Sequence, residues 1–239
     1  MKRDNKKGKF FVFEGIDGCG KATQANLLAD FLKREGFSVE KIDFPQHGQR
    51  SSALVDDYLN GKYGGPEDVS PYAASVFYAV DRYDASFKIK KWLNEGKMVI
   101  SDRYVVSNIG HQGGKLIGNK SKWKKYVSWL YNLEYGIFGI PKPNHTFILK
   151  TSVDLSLGMA HNITNKEKQS RREAYLGSSK KQDIHEKDKS HLSSALRSYL
   201  LVAKEFPKDF KVIECLSGGE MLSPEIISEK IIKTIKGKI

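Results

Sequence analysis

The sequence has almost no cysteine. Only Cys19 and Cys215 occur, which argues against a disulfide scaffold and points to a reducing, cytoplasmic setting. Long apolar runs are also missing: nothing approaches the roughly 20 residues of a membrane helix. The opening MKRDNKKGK is basic but leads directly into a strand-like run, so it does not read as a signal peptide. No internal repeat and no clear linker divides the chain, which leaves one α/β domain over residues 1–239. Acidic residues are in deficit, 28 against 40 Lys and Arg, and the net charge of +12 implies anionic partners. It does not choose between nucleotides and nucleic acid. Much of it is dispersed lysine, which solubility alone would explain.

What is present is organised around Lys9 to Thr23, KFFVFEGIDGCGKAT. Phe10 to Phe13 form a run long enough for a buried strand and too short for a buried helix. Gly15 to Lys21 then sets two glycines five apart before a lysine, the spacing of a phosphate-binding P-loop. Gln24 to Arg34 reads as a helix with Leu27, Leu28, Phe31 and Leu32 on one face. Strand, glycine loop and helix form the context this motif needs, as against a glycine turn that merely joins two elements. Gly15, Gly18 and Gly20 let the backbone around Ile16, Asp17 and Cys19 curl its N–H groups toward an anion. The helix N-terminus adds partial positive charge, and Lys21 would reach the β- and γ-phosphates of a nucleoside triphosphate. After this lysine a P-loop expects Ser or Thr as a Mg²⁺ ligand. Here Ala22 stands there and Thr23 follows, so the hydroxyl is missing from its usual place.

Further strands are expected at Ser38–Phe44, Met98–Ile100, Thr146–Leu149 and Phe210–Leu216. Helices are expected at Ala53–Leu59, from Pro71 behind a Ser70 cap to about Asn94, at Lys122–Phe138, at His191–Phe206, and after Ser223-Pro224. This alternation predicts a five-stranded parallel sheet with helices on both faces. The helix after Pro71 carries Tyr72, Val76, Phe77, Tyr78, Val80, Tyr83, Phe87, Ile89 and Trp92, most of it expected in the core. Asp102 lies just past a strand's carboxyl end, where open α/β sheets bind ligands. It could also cap a helix over Tyr104–Gly110. Asp154 to Ser190 is polar and nearly free of apolar periodicity. It reads either as a disordered insert or as a mobile lid that closes over phosphates. His111 and His185 lack a Cys or His partner at ligand spacing, which argues against zinc.

Several short motifs then fall in one order: EGIDGCGKATQ at Glu14–Gln24, FP at Phe44-Pro45, FYAVDR at Phe77–Arg82, DRYVVSN at Asp102–Asn108 with HQGG following, and DIHE at Asp183–Glu186. On these, from Phe10 to about Ile235, the chain resembles the thymidylate kinase family of P-loop nucleoside monophosphate kinases. The resemblance implies transfer of a phosphoryl group from ATP to dTMP with Mg²⁺, in a cytoplasmic homodimer without membrane or nucleic-acid partners. It implies that the loop from Gly15 to Thr23 binds ATP and that Asp17 faces the sugar and acceptor phosphate. Arg103 would hold the acceptor phosphate, its planar fork suiting two phosphate oxygens. Asp102 would organise Mg²⁺, directly or through water, with Glu186 as a second metal residue. Phe44 and Pro45 would wall the acceptor nucleoside. Tyr78 would stack on thymine, with Phe77 as the alternative, and Arg82 would donate to O4. Asn108 would contact the base edge with Gln112 nearby, Ser107 would belong to the same substrate site, and His111 would lie close to the sugar.

Two departures from the family pattern stand out. Gln46 follows Phe44-Pro45 where arginine is common, and no arginine lies between Gly15 and Gly20. The resemblance therefore assigns the transition-state charge to Arg171 and Arg172 in the 154–190 lid, with Lys180 and Lys181 behind. Such chemistry needs only alignment and charge neutralisation. Two rival functions remain: a kinase for another deoxynucleotide or deoxynucleoside on the same fold, and a basic nucleic-acid-binding module. Tyr78, Arg82 and Asn108 favour a pyrimidine with O4 over one with a donor there. The ordered site motifs count against the nucleic-acid reading.

Overall fold

The structure is a computed structural model that describes residues 7–161, 189–237 and 239. Its centre is β1 (Phe10–Glu14), every residue of which is buried. A strand buried on both faces reads as a continuous apolar run, as this one does. Around it lie β2 (Val39–Asp43), β3 (Met98–Asp102), β4 (His145–Lys150) and β5 (Phe210–Glu214). The sheet is parallel throughout, in the order β2-β3-β1-β4-β5. The chain leaves β1 toward one side and later returns to the other. The crevice outside the carboxyl ends of β1 and β3 is therefore the switch point where such sheets bind ligands.

Helices cover both faces. On one, α1 (Lys21–Arg34) packs against β1, β2 and β3 and meets the terminal helix Pro224–Ile235. On the other lie α3 (Pro71–Asn94), α4 (Val105–Gly114) and α7 (Lys189–Glu205). Three further α-helices are α2 (Ala53–Leu59), α5 (Lys120–Tyr131) and α6 (Val153–His161), the terminal one being α8. Ser70 caps α3, its Oγ accepting from the Ala73 N–H, with Pro71 at the first position.

Four expectations change. The segment after Tyr131 is a π-helical stretch, Asn132–Ile137, rather than a continuation of α5. The last expected strand stops at Glu214, and Leu216–Ser217 pairs instead with Glu220–Met221 in a small hairpin turned by Gly218 and Gly219. Residues 154–161 are helical within α6, and 189–190 already belong to α7. The rest of that stretch, 162–188, lies outside the described residues, and with it Arg171, Arg172, Lys180, Lys181, His185 and Glu186. Finally, much of the apolar surface of α3 is not core. Tyr72, Val76, Val80, Tyr83 and Phe87 are 36 to 59 % exposed. Their spacing of three and four residues aligns them on one stripe of the helix, while Ala79, Ile89, Trp92 and Leu93 face inward.

Candidate active site

The P-loop takes the expected form. Gly15, Gly18 and Gly20 have φ of 138°, 79° and 90°, values that side chains with a Cβ rarely adopt. α1 begins directly after Gly20, so its unpaired N–H groups face the loop. Lys21 is buried, and its Nζ donates to the Gly15 carbonyl at 3.0 Å and the Ile16 carbonyl at 2.9 Å. Lysine therefore lies across the loop mouth as a fixed positive charge. Cys19 is buried beneath it, and burial raises its thiol pKa above the ordinary value. Ala22 is half-buried, and Thr23 is exposed on α1.

Across the crevice, β3 ends in Ser101-Asp102-Arg103. Arg103 has φ 69°, left-handed and costly for a residue with a Cβ. Ser101 Oγ donates to the Arg103 carbonyl at 2.6 Å, and the Arg103 N–H donates to the Phe13 carbonyl at 2.9 Å. These bonds hold the strained turn against β1. The guanidinium then reaches the P-loop, where Nη2 donates to Asp17 Oδ1 and Nη1 approaches the Gly15 carbonyl at 3.5 Å. Burial works against its charge, but the Asp17 carboxylate outweighs it and the pKa rises. The loop that suits the donor and the arginine that suits the acceptor are thus one connected unit. Asp102 does not cap α4, whose N-cap is Tyr104. Its Oδ1 is buried and has no hydrogen-bond partner among the described residues.

Beneath this pair lies Glu14, which the sequence reading passed over although it opens the first motif. It is fully buried. Oε1 accepts from the Tyr104 N–H at 2.8 Å and the Ser107 N–H at 3.1 Å. Oε2 accepts from Ser107 Oγ at 2.6 Å and Tyr199 Oη at 3.3 Å. Four elements converge on one carboxyl: β1, the turn after β3, α4 and α7. Ser107 therefore acts as a brace here, and its hydroxyl is turned to Glu14.

The expected base-recognition residues gather on α3 and α4. Arg82 is buried, and Nε and Nη2 donate to the two Glu134 oxygens at 2.7 Å each, with Nη1 to the Tyr104 carbonyl at 3.3 Å. Burial would lower its pKa, but the Glu134 charge and hydrogen bonds prevail and raise it. Removing one partner of such a buried pair typically costs about 3–5 kcal/mol, so the guanidinium is held in one orientation. Glu134 sits in the π-helical stretch, a local insertion that re-aims side chains. Asn108 Nδ2 donates to the Ser75 carbonyl at 3.1 Å. Gln112 Nε2 donates to Tyr58 Oη at 3.4 Å, while its buried Oε1 has no partner among the described residues. Phe77 and Tyr78 are both half-buried and both meet Tyr58, at ring-centroid distances of 6.3 and 6.4 Å. Phe44 belongs to the main core against Tyr104, and Pro45, after a cis peptide, is half-buried beside it.

The loop after Pro45 is tied down by Asp81, another residue the sequence reading did not single out. Its carboxylate accepts from the Gln46 N–H at 2.9 Å and Ser51 Oγ at 2.8 Å. His111 is not alone either: Nδ1 lies 3.2 Å from Nε2 of His191. Among the described residues, no group of three or more His, Cys, Asp or Glu gathers to hold a metal by itself. No described helix is long and apolar enough to cross a membrane.

Residues 13–215 match the family model described as thymidylate kinase. The thymidylate kinase of Mycobacterium tuberculosis is 32% identical over 146 residues, 61% of this chain and 67% of that one. The probable thymidylate kinase of Thermococcus kodakarensis is 31% identical over 237 residues, 96% of this chain and 99% of its own length. The solved thymidylate kinase of Candida albicans aligns with 97% of this chain and 92% of its own, with a TM-score of 0.68 and 22% identity, a likeness of fold. With the family match along most of its length and a relative alike along nearly all of it, the chain belongs to the thymidylate kinase family.

Proposed function

We propose that this chain transfers the γ-phosphoryl group of ATP to dTMP, giving dTDP and ADP. The observation that carries the reading is the union of the P-loop with Arg103 through Asp17 at the sheet's switch point. Lys21, the loop amides and the start of α1 neutralise the donor phosphates. Arg103, locked by Ser101 and Asp17, presents its fork to the acceptor phosphate. Phosphoryl transfer asks for little else than alignment and charge. The base lies against Tyr78, with Phe77 as the alternative, and Pro45. Arg82, oriented by Glu134, donates to O4, and Asn108 and Gln112 line the remaining edge. His111 stands toward the sugar.

Mg²⁺ fits this site. The unpaired Asp102 Oδ1 lies at the strand end beside the P-loop, and Mg²⁺ is commonly held by one or two carboxylates, phosphates and water rather than by a protein cage. When bound, it would neutralise charge on the β- and γ-phosphate oxygens. Asp102 would hold it, with Glu186 brought by the lid. Arg171 and Arg172, in the polar stretch between α6 and α7, supply the transition-state charge when that stretch closes over the phosphates. Residues 1–239 work as one domain and pair as a homodimer through the apolar stripe of α3. Both cysteines are free and buried, which suits a reducing cytoplasm.

The test is a coupled assay with ATP and a panel of monophosphates. dTMP should be turned over with the highest kcat/KM. Preference for a cytidine or purine monophosphate would overturn the O4 reading of Arg82, and activity on none of them would overturn the function.

A further inference from the structure

Arg103 has a second side-chain partner besides Asp17, and it is an imidazole. Nη1 lies 3.3 Å from His111 Nε2. His111 Nδ1 lies 3.2 Å from Nε2 of His191, in the first turn of α7. The two ring centroids are 5.5 Å apart with planes at 22°. The rings therefore meet nearly edge to edge, and a ring N–H can lie along the line between the two nitrogens. Arginine offers donors only and stays protonated. His111 Nε2 must then accept. Its proton sits on Nδ1, which donates to His191 Nε2, and the His191 proton sits on its own Nδ1. One guanidinium thus fixes the tautomers of two imidazoles in series.

We propose that His191 is a positioning residue for Arg103, acting through His111, and that both imidazoles must be neutral for this relay to hold. The inference rests on the reading of Arg103 as the acceptor-phosphate arginine. A protonated His111 would turn an N–H toward the guanidinium. A protonated His191 would turn one toward His111 Nδ1–H. Either change sets donor against donor and breaks a link. Among the described residues, charged and titratable groups on several elements join this network. Asp17 and Lys21 lie in the P-loop, and Glu14 ends β1. Asp102 and Arg103 end β3. Tyr199, on α7, meets the His111 ring edge-on at 6.0 Å. Lys189, two residues before His191, pairs with Asp154 of α6. Arg103 is in contact with His111 through Nη1. The Asp17 carboxylate is already engaged on the guanidinium's other side.

The experiment compares wild type, His191→Gln and His191→Leu. Glutamine offers an amide oxygen to the His111 N–H and cannot be protonated; leucine offers nothing. At about pH 8, His191→Leu should raise the KM for dTMP roughly fivefold or more, with the KM for ATP within about twofold. His191→Gln should stay within about twofold of wild type at that pH. From about pH 8 to about pH 6, the KM for dTMP should rise more steeply in wild type than in His191→Gln. The substrate's own phosphate titrates in that range, but equally for all three proteins, so the difference reports the imidazoles. In parallel, ¹⁵N imidazole spectra of the wild-type protein at about pH 8 should show both rings protonated at Nδ1. A wild-type KM for dTMP in His191→Leu, or a His111 protonated at Nε2, would overturn the relay. If wild type phosphorylates no dTMP, the function fails, while the spectra still decide the tautomers.

Discussion

Glu14 accepts four hydrogen bonds, yet burial, the largest influence, raises its pKa from the ordinary 4.5 to about 7 against the pull of Ser107, Arg103 and Lys21. The folded protein therefore favours the neutral carboxyl. Its contribution to stability is fully present below about pH 4.5 and is lost as pH rises through about 7. A glutamine side chain could fill the same place, with its oxygen toward the two backbone N–H groups and its amide toward the two hydroxyls. Glu14→Gln should thus gain thermal stability relative to wild type on going from acid to mildly alkaline pH. Melting curves at both ends of the window check this, and a constant difference between the two proteins would refute it. The residue scale also shows where sequence stops. Lys21, Asp17 and Arg103 were legible because their chemistry is tied to short local motifs. Arg82 was legible as a donor, but its anchor Glu134 lies 52 residues further on. His191 stands 80 residues from His111, and no spacing rule reaches that far.

At the scale of elements, α4 and α7 cross unusually closely because α4 presents glycines. A Cβ on Gly110 would lie 2.2 Å from Tyr199 Cε2, and one on Gly114 would lie 3.0 Å from the Ala195 backbone nitrogen. Tyr199 is fully buried, so its ring has no room to retreat. Gly110→Ala should cost about 1–3 kcal/mol, the range for overpacking a filled core, read as a lower denaturant midpoint at unchanged slope. Because Tyr199 also donates to Glu14, the same variant should raise the KM for dTMP. Unchanged stability would mean that the helices can part without loss. Gly114 ends the HQGG run and Gly110 lies just before it, but a motif does not say which helix its glycines admit. The strands and most helices were legible from apolar runs, caps and breakers, and Ala53–Leu59 and Pro71–Asn94 came out with their expected bounds. The π-helical stretch was not, because its composition continues the pattern of α5.

At the scale of the whole molecule, the exposed stripe on α3 was the clearest misreading, since periodicity identifies an apolar face without saying what covers it. Tyr83 already packs on Phe87 and Phe138, at 5.4 and 5.0 Å between centroids, so the patch is broad and partly ordered. Stable interfaces bury about 800 Å² per partner. Val80→Glu with Phe87→Glu should reduce the sedimenting species from a dimer to the 27.0 kDa chain while leaving the far-UV spectrum intact. A wild-type protein that sediments as one chain at tens of micromolar would remove the stripe from consideration. One turn of α3 also carries a consequence of its own. Val80 and Tyr83 look outward, while Asp81, which holds the loop after Pro45, and Arg82 look inward. In the proposed dimer, the same peptide planes would serve the partner and the substrate. On dilution, mass action would remove the partner first, and the inward pair would lose its backing with it. Specific activity would then fall with enzyme concentration, and saturating dTMP would restore part of it by drawing the chains back together.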